Sequence, residues 1–445
     1  MNSFKPWQVL SLDLSEVISE AIPELPTNSD YQGLYLVLFW ANIPLGHLEL
    51  QMAQLPMSAS ELSNLILQTI APTIGSHLLK TGFEGELPID SPQSKTPNLE
   101  DVLALEKPLA LLRSQIETLP SDSSVSVIVC TRDRPDALKN CLRSLQALNP
   151  RPLEILVIDN APSSDATYQI VSQMPNIRYV KEPRSGLSAA RNRGIRESNG
   201  SILAFTDDDV TVHPHWTAQL QQAFSNPRIM AVTGLVLPTQ LEAESQCIFE
   251  KGFGGFGQGY RPKTFDSPFF ETMQRRGVPV WKIGAGANMA FRRSVFQQVG
   301  EFDQRLGAGC AGCSEDSELW YRILSEGGEC YYTPKAVVFH THRADLASLK
   351  SQLYQYMRGH VAALLIQFER YRHWGNLRRL TVALPRYYLR RTLSRILNRS
   401  QIPAEILRAE ITGCFAGIIF YLQNRQRRSK QSDPHFEIAK DTLAD

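Results

Sequence analysis

Val125-Ser-Val-Ile-Val-Cys130-Thr131-Arg132-Asp133-Arg134-Pro135 is a short β-branched run that breaks abruptly into charge. It reads as a strand over 125–130 followed by helical spacing over 135–148. Further runs of the same kind stand at 154–158, 177–180 and 202–205, with helical spacing at 165–173 and 187–198 between them. The order is β-α-β-α-β-α-β. That alternation predicts an α/β domain with a largely parallel sheet, a nucleotide-binding architecture. Ligands of such sheets sit beyond the carboxyl ends of the strands. The polar residues just after each strand therefore take priority: Thr131 to Arg134, Asp159 and Asn160, Arg184 and Ser185, and Asp207 to Asp209.

On the N-terminal side, strand-like runs at 35–40 and 43–50 and a helical 59–70 predict a small α+β domain without a catalytic cluster. A Pro/Ser-rich stretch at 88–97 and a polar break at 121–124 put its boundary near residue 120. After His342 the chain turns helical and basic over 349–371 and 377–398, where Arg378, Arg379, Arg386, Arg390, Arg391, Arg395 and Arg399 interleave with Leu, Ile and Tyr. Two readings of this extension stay open, a membrane-surface helix and the solvated face of a helical packing unit. The expected division is an accessory domain over 1–120, a catalytic domain over 121–345 and a helical C-terminal region over 346–445.

With 43% hydrophobic and 20% charged residues, the 445-residue chain is a globular protein of two or three units. Its net charge of +1 hides a gradient. Residues 1–120 hold 14 acidic against 5 basic side chains, and residues 343–430 hold 17 basic against 4 acidic. The basic end suits an anionic membrane surface or phosphates, and nucleic acid is not the expected partner. Seven scattered cysteines argue against a disulfide framework and for a reducing, cytoplasmic setting. The single close pair, Cys310 and Cys313, has no second pair at zinc-site spacing and reads as a loop with two free thiols. No basic region followed by an apolar run marks a secretion signal. The longest apolar stretch, 411–422, falls well short of the ~20 residues of a spanning helix, so no transmembrane span is expected. Its Gly413 and Gly417 form a GxxxG that ordinary buried helix also explains. The expected location is cytoplasmic, peripheral on the cytosolic face of a membrane.

Thr206-Asp207-Asp208-Asp209-Val210 puts three carboxylates at the lip of the sheet. Adjacent like charges raise one another's proton affinity, so the grouping makes sense where a divalent cation and sugar hydroxyls meet them. A solvated acidic turn is the plainer alternative.

The first strand with its charged tail, then Ile158-Asp159-Asn160, Gly186-Leu-Ser-Ala-Ala-Arg191-Asn-Arg-Gly194 and the Asp run occur in that order. In these motifs the chain resembles the inverting family 2 glycosyltransferases over roughly residues 122 to 345. The resemblance implies the GT-A fold and transfer of a single sugar from a nucleoside diphosphate sugar of UDP, GDP or dTDP type to a hydroxyl of a glycan or lipid-linked acceptor. It implies that Thr131, Arg132 and Asp133 line the nucleoside pocket, that Asp159 accepts a hydrogen bond from the base, and that Arg191 reaches the nucleotide. Asp209 would hold Mn²⁺ or Mg²⁺ on the diphosphate, with Asp207 and Asp208 near ribose and sugar. Such an ion stabilises the charge that develops on the leaving group.

Downstream, Gly284-Ala-Gly286-Ala-Asn288-Met-Ala-Phe-Arg-Arg293 reads as a glycine-rich loop leading into a helix, and the resemblance places Gly286 and Asn288 near the donor sugar and acceptor. Glu315-Asp316-Ser317-Glu318-Leu319-Trp320 is similar to the family's Glu-Asp motif, which makes Asp316 the expected general base with Glu315 as the alternative. His340, or else His342, is expected to complete the metal or diphosphate site after a strand-like 336–339. The chain lacks a Gln-x-x-Arg-Trp motif, which favours transfer of one residue over chain synthesis. A sugar nucleotidyltransferase would open with a Gly-rich phosphate loop, absent after Cys130, and a non-catalytic sugar-nucleotide-binding protein would tolerate loss of Asp316 or the Asp run. Loops around 238–283 match no readable pattern and are expected to set sugar and acceptor.

Overall fold

The computed structural model describes residues 4–17, 25–80, 124–397 and 403–425. The boundary near 120, the 88–97 stretch and Arg399 lie outside the described residues. A first sheet is formed by β1 (Trp7–Asp13), β2 (Gly33–Trp40) and β3 (Ile43–Gln51), with β1 parallel and β3 antiparallel to β2. Helix α1 (Ala59–Lys80) packs Leu62, Ile66, Ile70 and Ile74 against one face of it. These residues recur every four positions, so they form one stripe along the helix. The other face, through Trp7, Tyr35, Val37 and Phe39, packs on Leu235, Leu237 and Val337 of the main sheet and on Leu241, which bridges to Trp7. The N-terminal unit is docked on the larger one, and β1 joins the two expected strands.

The main sheet has nine strands. Its first half is β4 (Val125–Thr131), β5 (Glu154–Asn160), β6 (Ile177–Glu182) and β7 (Ile202–Asp207), all parallel in the spatial order β7-β4-β5-β6. Ile128, Leu156, Leu203 and Phe205 point to one buried cluster, and Val127, Val129, Val157 and Ala204 to another. Strands covered on both faces read as unbroken apolar runs, which is why these four were legible. The crossovers are α2 (Pro135–Gln146), α3 (Ala166–Val171) and α4 (Leu187–Glu197). In α2, Pro135 sits in the first turn and Leu138, Cys141, Leu142 and Leu145 form the buried stripe. Burying each leucine contributes about 1.5–3 kcal/mol.

The second half adds β8 (Val210–Val212), α5 (Trp216–Ala223), β9 (Ile229–Pro238), β10 (Lys263–Phe265), α6 (Ser267–Gln274), β11 (Asn288–Arg292), α7 (Glu315–Ser325) and β12 (Glu329–His340). Residues 288–292 are thus a strand and not the expected helix. β11 pairs antiparallel with both β7 and β9, and its Met289, Ala290 and Phe291 are fully buried. Tertiary pairing on both edges overrides the local signal. The chain leaves β4 toward β5 and β6 on one side and returns to β7 on the other, a topological switch that opens a crevice at the ends of β4 and β7.

The C-terminal region consists of α8 (Leu346–Tyr371), a short helix Trp374–Arg378, a π-helical turn Arg379–Ala383, α9 (Leu384–Ile396) and α10 (Ala404–Asn424). α10 crosses α8 closely: a Cβ on Gly413 would stand 2.4 Å from the Tyr354 carbonyl oxygen, and one on Gly417 2.5 Å from that of Arg358. The GxxxG is a helix-packing seam. No described helix is long and apolar enough to cross a membrane. α8 also lies on the loop of Cys310 and Cys313, since a Cβ on Gly359 would meet the Cys313 backbone. All seven cysteines are free thiols.

Candidate functional site

The turn that ends β7 carries the acidic run, and its three carboxylates have different neighbours. Asp208 accepts from the Thr131 hydroxyl at 2.7 Å and from Arg134 Nη1 at 2.6 Å. Asp209 accepts from Arg134 Nη2 at 2.7 Å and lies 3.3 Å from His340 Nε2. Asp207, the most open of them, is 3.5 Å from Arg191 Nη2. Burial pushes the Asp207 and Asp208 carboxyls up, Asp208 to about 6, against the pull of the nearby arginines. Burial acts the same way on Asp209, but His340 and Arg134 outweigh it and hold that carboxyl low. These three carboxylates and Glu315 are met by three guanidinium groups, Arg134, Arg191 and, at 4.0 Å from Asp209, Arg343. Negative charge is left over.

Ligand atoms of Asp207, Asp209 and His340 all lie within 4.8 Å of one another. Asp209 Oδ1 is buried and receives no directed hydrogen bond. Such an orphan costs about 1–3 kcal/mol. Carboxylate oxygens are what hard divalent ions prefer, and one imidazole completes the set. These residues fit a divalent cation.

His340 is oriented from behind. Its Nδ1 is 3.2 Å from His342 Nδ1, and His342 Nε2 is 2.9 Å from Glu250 Oε2. A carboxylate only accepts, so His342 Nε2 carries the hydrogen. Burial lowers the proton affinity of His342, which keeps the ring neutral and leaves its Nδ1 bare to accept from His340 Nδ1–H. The other ring nitrogen of His340, Nε2, is the atom that faces Asp209. Phe249 and Phe256 pack edge-on against the two rings. Glu250 sits in a π-helical turn, Ile248–Gly252.

Across the crevice, α7 begins with the Glu-Asp pair after Ser314, whose φ is +69°. Glu315 is buried and accepts from Arg191 Nη1 at 2.5 Å. Arg191 is itself only 2% exposed, so its guanidinium ties Glu315 to Asp207 inside the protein. Asp316 is half-buried, and its Oδ1 accepts from Ser317 N at 2.6 Å. Burial raises its proton affinity, opposed by Arg191. A Cβ on Gly286 would stand 2.9 Å from Arg191 Nη2 and 3.2 Å from Asp316 Oδ2, so this position has no space for a side chain.

A cavity of about 1340 Å³ runs along these groups. Thr131, Arg132, Arg191, Gly286 and His340 line it together with the Asp run, Glu315 and Asp316. Three expected residues do not line it. Asp133, at φ +53°, turns outward and accepts from Ser163 N and Oγ at 2.9 and 2.8 Å. Asp159 is shut from solvent, with Tyr179 donating to Oδ2 at 2.9 Å and Oδ1 lacking a partner, while its neighbour Asn160 reaches the cavity. Asn288 corrects the reading of its motif. It is fully buried, donates to Leu235 and Ala336 carbonyls at 2.9 Å each and accepts from Trp216 Nε1 at 2.8 Å, so it brackets strands and has no polar atom left for a ligand. Sequence reasoning gave Arg134 priority without assigning it a role, and it passed over Glu250. Arg134 stood in the quoted first motif, and its place after a strand was the signal. Glu250 lies in the unpatterned 238–283 stretch, where nothing marked it.

Residues 126–300 match the model of Glycosyl transferase family 2. The succinoglycan biosynthesis protein ExoM of Rhizobium meliloti (strain 1021) is 30% identical over 246 residues, which are 52% of this chain and 72% of that protein. The chain belongs to glycosyl transferase family 2. Two further relatives are longer than this chain's match to them. The pre-mycofactocin glycosyltransferase of Mycobacterium tuberculosis (strain ATCC 25618 / H37Rv) is 27% identical over 230 residues, 51% of this chain and 44% of that one. The O-antigen biosynthesis protein RfbC of Myxococcus xanthus is 28% identical over 228 residues, 49% of this chain and 17% of that protein. The chain thus spans less than half the length of these two relatives. Asp316 and His340 lie beyond the stretch that matches the family 2 model, and here they are placed by geometry.

Proposed function

We propose that the protein is an inverting, non-processive glycosyltransferase that moves one sugar from a nucleoside diphosphate donor to an acceptor hydroxyl during assembly of a glycan, polysaccharide or glycolipid. The observation that carries the proposal is the Arg191 bridge, which brings the acidic turn of β7 and the Glu-Asp start of α7 to one cavity. The names of two relatives, in O-antigen and succinoglycan biosynthesis, support this setting. Thr131, Arg132 and Asp208 serve the nucleoside end, where Asn160 lines the cavity and Asp159 does not. Asp207, Asp209 and His340 hold Mn²⁺ or Mg²⁺, which when bound offsets the charge on the departing diphosphate. Asp316 takes the proton of the acceptor hydroxyl as its oxygen attacks the anomeric carbon. Glu315 is committed to Arg191 and positions it. In this scheme residues 121–345 carry the chemistry, and the described helices after residue 345 close the cavity on the acceptor side.

The test is a panel of UDP-, GDP- and dTDP-sugars with Mn²⁺ or Mg²⁺, followed by release of nucleoside diphosphate. At least one donor should be turned over by the parent and by neither Asp209→Ala nor Asp316→Asn. Turnover by none of them sinks the reading and favours a non-catalytic binder.

The C-terminal helices support a peripheral place on the cytosolic face of an anionic membrane. The outer face of α9 exposes Leu389, Leu393 and Ile396, at 60%, 48% and 70%, beside Arg386 and Arg390. α10 exposes Phe415, Ile419 and Leu422 at a similar spacing. Apolar stripes flanked by arginine suit the headgroup boundary of anionic lipid. The parent should sediment with anionic liposomes at low salt, and Leu393→Glu should not. Equal sedimentation of both leaves the stripe without this role.

A further inference from the structure

The cavity continues past Asp316 to a wall that the C-terminal helices build, and that wall carries a charge the reaction scheme does not use. Five arginines line the cavity: Arg132, Arg134, Arg191, Arg343 and Arg379. The first four each have a carboxylate within 4.0 Å. Arg379 has none among the described residues. Its Nε donates to His360 Nε2 at 3.1 Å, and its guanidinium lies 3.8 Å from the ring centroid of Trp281. Burial and the charge of Arg379 push His360 down to about 3, so the imidazole is a neutral acceptor and offers no counter-charge. Burial likewise brings Arg379 down to about 10. Lys282, exposed at the same cavity wall, also lacks an ion-pair partner among the described residues.

This placement is built into the backbone. Arg379 opens the π-helical turn ahead of α9, and such turns interrupt helices most often at functional positions. The turn can lie on the loop before Trp281 only because Gly277 and Gly375 are small: a Cβ on Gly277 would be 2.9 Å from Arg379 Cβ and 3.0 Å from the Gly375 carbonyl oxygen. A cation drawn half out of water without a carboxylate is paid for by something that arrives later, and the planar guanidinium fork fits a phosphate in a bidentate manner.

We propose that Arg379, held by His360 and Trp281 and aided by Lys282, is a subsite for a phosphate or diphosphate group of the acceptor. This rests on the reading of the cavity as the place where donor and acceptor meet. The shared chemistry is the phosphoryl group, whether it is attached to a lipid or to a soluble sugar.

The experiment uses the full chain with EDTA present, so that the Asp207–Asp209–His340 site takes no part, and titrates inorganic pyrophosphate and geranyl diphosphate calorimetrically. Saturable binding is expected, about ten- to hundredfold weaker in Arg379→Gln and unchanged in Asp209→Ala. Tighter binding of geranyl diphosphate assigns the lipid source and equal binding the soluble one. Unchanged affinity in Arg379→Gln overturns the proposal, as does altered affinity in Asp209→Ala, which puts the probe in the donor site. Should Arg379→Gln not fold, Lys282→Gln at the exposed rim decides, because unaltered binding there rejects the subsite. Failure of every nucleotide sugar to turn over would leave these titrations untouched, so the two readings fail separately.

Discussion

Glu250 Oε2 lies 2.9 Å from His342 Nε2, and the same carboxylate receives the Tyr35 hydroxyl at 3.4 Å on its other oxygen. Through this residue the N-terminal sheet reaches the back of the acidic site, because His342 in turn faces His340. Lys251 strengthens the joint, standing 3.1 Å over the Trp7 ring and 2.9 Å from Glu49. A group that fixes the tautomer of a metal-binding histidine typically changes metal affinity about 10–100-fold when it is removed. Glu250→Ala should therefore weaken Mn²⁺ binding by that order, measured by calorimetry with UDP or GDP present. Tyr35→Phe removes only a long hydrogen bond and should do much less. Parent-like Mn²⁺ affinity in Glu250→Ala means that His340 is oriented by packing against Phe256 alone.

The Arg191 bridge makes a prediction about stability. Removing one partner of a buried ion pair leaves the other charge stranded, at about 3–5 kcal/mol. Arg191→Met should lower the thermal midpoint sharply, since Glu315 and Asp207 lose their counter-ion together. Adding Glu315→Leu to that variant should recover part of the loss. A double variant no more stable than the single one would show that Arg191 is not the element holding the two together.

The parallel half of the sheet was legible because Val127, Val129, Leu156 and Phe205 are buried on two faces and leave an unbroken apolar pattern. The acidic run, Arg191, Asp316 and His340 were legible as motifs. Asn288 was misplaced because its segment read as a loop leading into a helix, whereas pairing with β7 and β9 makes it a strand whose first residue is fully buried. Glu250 stood in no pattern, and Arg379 read only as one of the arginines of the basic C-terminal extension. Each acts through a contact with a histidine far along the chain or on another helix, and each sits in a π-helical turn that has no sequence signature.

The helix seam separates packing from membrane contact. Gly417→Leu puts a side chain where the Arg358 carbonyl already stands, and overpacking of this kind costs about 1–3 kcal/mol. Its thermal midpoint should fall while liposome binding, carried by the outward faces of α9 and α10, persists below that temperature. If liposome binding is lost in a folded Gly417→Leu variant, the seam and the lipid-facing stripe are one feature.

The final prediction concerns Asp316. Asp316→Asn keeps the size of the side chain and its hydrogen bond from Ser317 but cannot take a proton. Loss of a general base typically costs about 10²–10⁴ in rate, so kcat should collapse while the donor dissociation constant moves little. pH gives an independent check. Burial raises the proton affinity of this carboxyl against the opposing charge of Arg191, so its titration lies above the ordinary aspartate value. The base works only when deprotonated, so kcat should fall as pH drops through that raised value, with the acid limb above the range of an exposed aspartate. In Asp316→Asn the residual rate should lose that limb. Had the carboxylate only capped the first turn of α7, Asn would serve nearly as well and leave turnover almost intact. A variant that transfers sugar within a few-fold of the parent, with its acid limb still in place, would move the base to another group.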